Sequence, residues 1–268
     1  MIKTFVIRRP DQLRDNYSAI AQLFEECFNA PLSVELWRWL YVDGPGRQPF
    51  VALAMDGDRA VGHYGVIAMP TRDEHGQALN SYLSITSMVA ASHRKLGLFA
   101  SLGLLAYEDA KQAGVDFVMG FPNKLAIPGR RKKLGWQMPE PDYVAPLEKD
   151  EILALGNEHG LFDCSGVRFD WTDETLRKWR LAKPGVKYVS TDRVAYKDFG
   201  TAIDLVYCDG PDGLADVPDG KLINVLLPGD VQAYKSRSLF EYQYGGVAIC
   251  KDFDPSRVER QLIMSDVF

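Results

Sequence analysis

The chain has 268 residues, a hydrophobic fraction of 46%, a charged fraction of 25% and a formal net charge of −5. Those totals fit one large or two small globular domains and argue against a mainly disordered chain. They also argue against a general nucleic-acid binder, which carries a basic balance or a basic stripe. In chain order, "MIKTFVIRRP" reads as a strand stopped by Pro10, and "YSAIAQLFEECFN" as a helix with Ile20, Leu23, Phe24 and Cys27 at helical spacing. "LSVELWRWLYVDGPG" follows as a second helix, with Ser33 as N-cap and Asp43-Gly44-Pro45-Gly46 as its stop. "PFVALAMDGDRAVGHYGVIAMP" is a hairpin turning at Asp56-Gly57-Asp58, and "ALNSYLSITSMVAA" a third, long strand. "LFASLGLLAYEDAKQAG" is a helix closed by Gly114. "DFVMGFPN" is a strand apolar enough to be buried on both faces, and "KLAIPGRRKKLGW" is helical at least in part, interrupted by Pro128-Gly129. The order strand, helix, helix, hairpin, strand, helix, strand, helix predicts an α/β (α+β) fold built on a mixed sheet, because the hairpin makes its first part antiparallel.

Beyond residue 148, "DETLRKWRLAKPGVKY" opens with a helix capped by Thr172 or Asp173. Strand-like runs follow at "KYVSTDRVAYK", "GTAIDLVYC", "KLINVLLPG", "GGVAICK" and "VERQLIMSDVF". "ELWRWLYVDGPGRQPF" and "TLRKWRLAKPGVKY" each place a tryptophan, Trp39 and Trp179, shortly before Pro-Gly and an aromatic strand start. This is a chance match or the trace of a second, degenerate copy of the first half. The expected division is 1–148 and 149–268.

Cys27, Cys164, Cys208 and Cys250 form no CxxC pair, and His63, His75, His93 and His159 have no metal-ligand spacing. Reduced thiols and no metal are expected. No apolar run reaches the roughly 20 residues of a membrane span, and "MIKTFVIRRPDQ" lacks a secretory signal. The expected location is the cytoplasm.

The chemistry concentrates in "VAASHRKLGLFASLGLL", Val89 to Leu105, where a strand turns into a helix at His93-Arg94-Lys95-Leu96-Gly97. The first amides of a helix lack intrahelical acceptors, and the macrodipole adds positive potential, so the corner is a ready seat for a phosphate. Arg94 and Lys95 add charge, and Gly97 admits close backbone approach. A solvated cationic turn is the alternative.

The element order, this corner and the downstream "GFPNKLA…KKLGW" resemble the GNAT superfamily of acyl-CoA-dependent N-acyltransferases, over roughly the first 140 residues. The family's loop reads Arg/Gln-x-x-Gly-x-Gly/Ala. Here Arg94 and Gly97 match and Phe99 departs. The resemblance implies a GNAT fold and an acetyl-CoA co-substrate. Its pyrophosphate would lie on Arg94, Lys95, Leu96, Gly97, Leu98, Phe99 and Ala100, and its thioester along Met88, Val89 and Ala90. Asn123 would touch the pantetheine arm, or serve as a turn residue. Where many members carry a tyrosine that protonates the departing thiolate, this chain has Arg131, so Arg131 or Lys132 would act electrostatically or be solvated.

Candidates for the catalytic base are His63, Tyr82 and Thr86, with Tyr64 and Ser84 beside them; for each, an ordinary strand role is the alternative. His93 suits a solvated role. Trp37 and Trp39, two apart, cannot share a helix face, so one is expected in the core and one against the acceptor. A weaker resemblance to GNAT enzymes acylating nucleotide-linked amino sugars implies a small-molecule amine acceptor, with Arg130, Arg131, Lys132 and Lys133 near a diphosphate or solvated. The expected function is transfer of an acetyl or short acyl group to a primary amine. The alternatives are a non-catalytic acyl-CoA sensor and a tandem-GNAT aminoacyl-transferase using charged tRNA. No nucleic-acid or membrane partner is expected, and the oligomeric state is left open, a homodimer included.

Overall fold

The computed structural model describes residues 1–45, 47–163 and 165–265. Gly46 of the predicted helix stop, Cys164 and the end of the last predicted strand lie outside them. In chain order the elements are β1 (Ile2–Ile7), α1 (Pro10–Asp15), α2 (Tyr17–Phe28), α3 (Val34–Tyr41), β2 (Phe50–Asp56), β3 (Arg59–Ala68), β4 (Thr71–Arg72), β5 (Ala78–Leu79) and β6 (Ser81–Val89). After a 3-10 turn at Ala91–Leu96 come α4 (Leu98–Gln112), β7 (Phe117–Gly120), α5 (Ile127–Lys133), β8 (Asp142–Leu147), α6 (Lys149–His159), β9 (Arg168–Phe169) and α7 (Glu174–Leu181). The chain ends with β10 (Val189–Ser190), β11 (Val194–Phe199), β12 (Ala202–Cys208), α8 (Pro211–Ala215), β13 (Ile223–Leu227), β14 (Phe240–Tyr242) and β15 (Gly245–Ala248).

Local chemistry sets most of these bounds. The Ser33 hydroxyl accepts from the Leu36 amide at 3.1 Å and opens α3, while Asp173, not Thr172, opens α7 through the Leu176 amide at 3.0 Å. Pro128 lies in the first turn of α5, where its missing N–H costs nothing, so it starts that helix and does not interrupt it. Sequence reading misses α1, β8 and α6. It also reads "VERQLIMSDVF" as a strand, whereas its described part makes a single bridge at Val258 and a 3-10 turn at Leu262–Met264. Its apolar residues, Leu262, Ile263 and Met264, are buried by packing against the main core.

The two main sheets have matching topologies. The first runs β1-β2-β3-β6-β7-β15, and the second β10-β11-β12-β13-β8-β14. Within them, β2-β3-β6-β7 and β10-β11-β12-β13 share one pattern: two antiparallel pairings and then a parallel one, crossed by α4 in the first half and α8 in the second. Register shifts fall at corresponding places, opposite Tyr64 in β3–β6 and at Ala195/Tyr196 in β11–β12. The mixed GNAT-like sheet is therefore present twice.

The echo around the tryptophans is physical. Trp39 and Trp179 stack at 5.0 Å and 12°. Each indole Nε1 donates to the other residue's carbonyl at 2.7 Å. That reciprocal pair is what a pseudo-twofold relation between α3 and α7 produces.

Each sheet is completed from the other half. β15 pairs antiparallel with β7, and β8 pairs antiparallel with β13. Hydrogen bonding thus crosses residue 148 in both main sheets, and the small sheet β5-β4-β9 crosses it again where β4 pairs with β9. β14 and β15, separated only by Gln243 and Tyr244, carry one run of chain across the seam between the sheets.

Candidate active site

β6 and β7 pair only over Ser81–Leu83 and Phe117–Met119. Beyond that the strands diverge, and the edge of β6 from Ser84 to Val89 faces a gap. α4 and α5 flank one side of the sheet there, and α3 lies on the other. Divergence of two parallel strands at their C-terminal ends makes a crevice, the usual place for a ligand in an α/β sheet.

The corner closes one end of this gap. Gly97 is left-handed (φ 73°), which a side chain would strain, and a Cβ there would meet nothing within 4 Å. The surface above it is open. It forms the N-cap of α4 with no side-chain cap, so the leading amides of a 15-residue helix point outward. Arg94 and Lys95 are exposed beside it. The Arg94 guanidinium lies 3.4 Å from the Val89 carbonyl. Glu26 of α2 accepts from the Ala91 amide at 3.2 Å and pairs with Arg59 at 2.6 Å, pinning the preceding 3-10 turn. The Arg59 hydrogen bond holds the Glu26 carboxyl below its usual range. His93 faces Asp56 at 3.7 Å and the Ser92 hydroxyl, with no group of the gap among its partners.

Phe99, the departure from the loop pattern, lies against Tyr64 at 5.7 Å. A Cβ on Gly129 would fall 2.8 Å from its ring. Phe99 and Gly129 are therefore one adaptation: α5 approaches α4 over a glycine to accommodate an aromatic ring.

On the α3 side the bulge organises the residues. Thr86 and Ser87 are the extra residues opposite Tyr64, and Thr86 has φ 41°, a strained value for a β-branched side chain. The bulge turns the Thr86 carbonyl toward His63 Nδ1, 2.8 Å away, and its hydroxyl into a short hydrogen bond with the Tyr41 hydroxyl. A carbonyl only accepts, so Nδ1 carries the proton and Nε2 the lone pair. Nε2 is buried without a partner, and His63 is 1% exposed. Burial pushes its pKa down to about 4, with the Thr86 hydrogen bond opposing, so the ring is neutral near pH 7. The Ser84 hydroxyl is likewise buried and unpartnered.

The other predicted residues are placed differently. Tyr82 lies in the part of β6 paired with β7 and donates to the Gln48 carbonyl at 3.2 Å, so it stands away from the gap. Asn123 folds its carboxamide oxygen onto the Leu125 and Ala126 amides at 3.1 and 3.0 Å, which is the work of a turn residue. Trp37 and Trp39 are 3% and 4% exposed. Trp37 packs edge-on against Tyr17 at 5.0 Å, and Trp39 is held by Trp179. Both are core residues, in contrast to the expectation that one faces the acceptor, because α2 covers Trp37 and α7 covers Trp39. Arg131, Lys132 and Lys133 are exposed.

Sequence reading misses a buried network on the α4–α5 side. Tyr64 and Tyr107 share a hydroxyl hydrogen bond of 2.6 Å, and the Trp136 indole donates to Tyr107 at 2.7 Å. Arg130 donates to Tyr64 at 3.0 Å and to Ser87 at 3.3 Å. The signal was the four-residue spacing of Arg130 and Leu134, one helix face carried into the core and hidden in a cationic run.

The corresponding place in the second half is built differently. β12 and β13 pair at only two positions and then part. The gap holds the C-terminal segment, whose Gln261 carboxamide accepts from the Cys208 amide at 3.2 Å and donates to its carbonyl at 3.4 Å. Arg180 of α7 holds that segment by the Ile263 carbonyl at 2.7 Å. The corner there is acidic, with Asp209 and Asp212 around a five-residue α8. A cavity of about 540 Å³ opens beside it, lined by Cys208, Asp209 and Gln261 together with Asp142, Asp230, Glu259 and Arg260.

A mixed sheet with a splayed parallel pair and a glycine-capped helix at its mouth is the architecture of an acyl-CoA N-acyltransferase. Residues 10–138 match the family model of the acetyltransferase (GNAT) domain, so the first half of the chain carries an acetyltransferase domain of the GNAT type. Solved structures share the fold over both halves. A GCN5-related N-acetyltransferase from Kribbella flavida superposes with a TM-score of 0.59 at 11% identity, covering 93% of this chain and 72% of that one. Eis1 from Mycobacterium abscessus gives 0.57 at 12% identity, with 91% and 73% covered. A GCN5-related N-acetyltransferase from Anabaena variabilis gives 0.57 at 9%, with 92% and 73% covered. No curated protein matches the sequence. No described helix is long and apolar enough to cross a membrane, and no described group of His, Cys, Asp or Glu could hold a metal ion.

Proposed function

We propose that the protein transfers an acetyl group from acetyl-CoA to the primary amine of a small molecule, with amino sugars, free or nucleotide-linked, as the acceptor class. One observation carries the reading: the open, glycine-capped N-terminus of α4 lies at the mouth of the gap that leaves the β6 edge unpaired from Ser84 to Val89. The corner fits a pyrophosphate, with Arg94 and Lys95 adding charge around it. The free β6 edge, which ends at Val89, supplies backbone groups for the pantetheine and for the carbonyl that becomes an oxyanion during attack, whereas the Ala90 amide is taken by the Val61 carbonyl at 2.9 Å. His63 Nε2 is the unpartnered lone pair beside the bulge, and it takes the proton from the attacking amine, directly or through one water. Thr86 and Tyr41 hold the ring's surroundings in place.

The acceptor enters on the Tyr41 side. A cavity of about 320 Å³ lies there between Tyr41, Val42, Pro45, Gln48 and Ile67. Its size suits a monosaccharide rather than an extended peptide. The test is mass spectrometry of products after incubation with acetyl-CoA and a panel of free amino sugars, nucleotide-linked amino sugars and lysine peptides. An acetylated amino sugar supports the reading. Acetylation of the peptides alone overturns the acceptor class, and no turnover of any amine overturns the reaction.

A further inference from the structure

Arg130 is 4% exposed, and among the described residues no carboxylate forms an ion pair with it. Its terminal nitrogens donate to the neutral Tyr64 and Ser87 hydroxyls. Its guanidinium lies over the rings of Trp136 at 4.2 Å and Tyr64 at 5.5 Å. Its Nε–H is buried with no acceptor. A guanidinium out of water with no counter-charge and an unused donor is costly, and ring faces compensate only part of that cost. Ser87 places this cation at the bulge, two residues before the end of the β6 edge at Val89. Arg131, the residue aligned with the family's tyrosine, is exposed instead.

We infer that Arg130 is the group that stabilises the departing CoA thiolate, in place of a proton-donating tyrosine. The inference rests on the acetyl-transfer reading above. In the step, the amine nitrogen forms a bond to the acyl carbon and the carbon–sulfur bond breaks. Sulfur leaves with the electron pair as a thiolate, and the proton lost by the amine goes to His63 Nε2 or to water. Arg130 remains protonated throughout and gives the anion a buried partner.

The test is the titration of the CoA thiol bound to the intact protein, read from thiolate absorbance in the ultraviolet. An opposite charge a few ångströms away lowers a pKa by about 1–3 units. The bound thiol should therefore titrate at least about one unit below free CoA in the wild type, and that shift should largely vanish in R130M. Replacing a buried charge by an apolar side chain of similar length is often neutral for stability, so R130M should fold. R130Q serves if it does not. The α4 N-terminus and the Arg94 and Lys95 charges are unchanged in both variants, so their influence on the thiol cancels in the comparison. Equal thiol pKa values in wild type and variant, or an unshifted value in the wild type, overturn the inference while CoA binding stands. Failure of the wild type to bind CoA at all overturns the acyltransferase reading and this inference with it.

Discussion

Replacing Gly97 separates a seat for an anion from an ordinary turn. The residue is left-handed, and a Cβ there meets nothing within 4 Å, so Gly97→Ala causes no clash inside the protein. Its stability cost is the backbone strain of an L-residue in that region, about 1–2 kcal/mol, partly offset by reduced freedom of the unfolded chain. At roughly 2–4 °C per kcal/mol for a chain of this size, the melting temperature falls by only a few degrees. Gly97→Glu adds a carboxylate at the mouth of the helix. At about 4 Å from a phosphate charge the repulsion is roughly 1 kcal/mol in water and about 4 kcal/mol at an interfacial dielectric. Acetyl-CoA affinity should therefore fall by between about fivefold and several hundredfold. Calorimetric titration at low and high ionic strength measures it, and the penalty should shrink as salt screens the pair. A Gly97→Glu protein that binds acetyl-CoA as tightly as the wild type would refute the assignment of the corner.

Trp39→Ala and Trp179→Ala should each destabilise by about 3–5 kcal/mol. The double variant should cost less than their sum by at least 0.5 kcal/mol, since the stack and both hydrogen bonds are shared; additive urea-unfolding energies would deny the coupling. Burial holds the His63 pKa near 4, below its unfolded value of 6.5, so its contribution is complete above pH 6.5 and is lost as pH falls toward 4. Asp142, raised to about 6 by burial, works in the opposite sense and loses stability as pH rises through that value. His63→Asn should therefore lessen the loss of stability between pH 7 and pH 5; an unchanged pH profile in chemical denaturation would contradict the buried neutral ring. Among the described cysteines, Cys250 is exposed, whereas burial raises the thiols of Cys27 and Cys208, the latter to about 11. Iodoacetamide at pH 8 should label Cys250 well before the other two, as peptide mapping would show, and equal labelling would count against the packing around β12. A fragment ending at residue 148 loses β15 and strands β8, so it should lack a cooperative unfolding transition by calorimetry; a sharp transition would show that the first sheet is self-sufficient.

The sequence by itself determined what is short-ranged. Hydrophobic period placed β1, α2, β2, β3, β6, α4 and β7. The Asp56-Gly57-Asp58 turn fixed the hairpin, Ser33 and Gly114 fixed helix ends, and Arg94 to Gly97 marked the corner, because each depends on residues a few positions apart. The echo of Trp39 in Trp179 was legible as a pattern of letters, but its meaning was not. Only the tertiary structure stacked Trp39 and Trp179 5.0 Å apart and buried both Trp37 and Trp39 in the core. It alone sent β8 and β15 across to complete each other's sheets, since strand pairing is decided by edges left unsatisfied far away in the chain. It likewise drew Arg130 out of a run of four cations and buried it against Trp136, while its three neighbours stayed in water. A charge run looks uniform in sequence. Which of its members is desolvated depends on the one helix face that packing against Tyr64 and Tyr107 selects, and no local signal carries that choice.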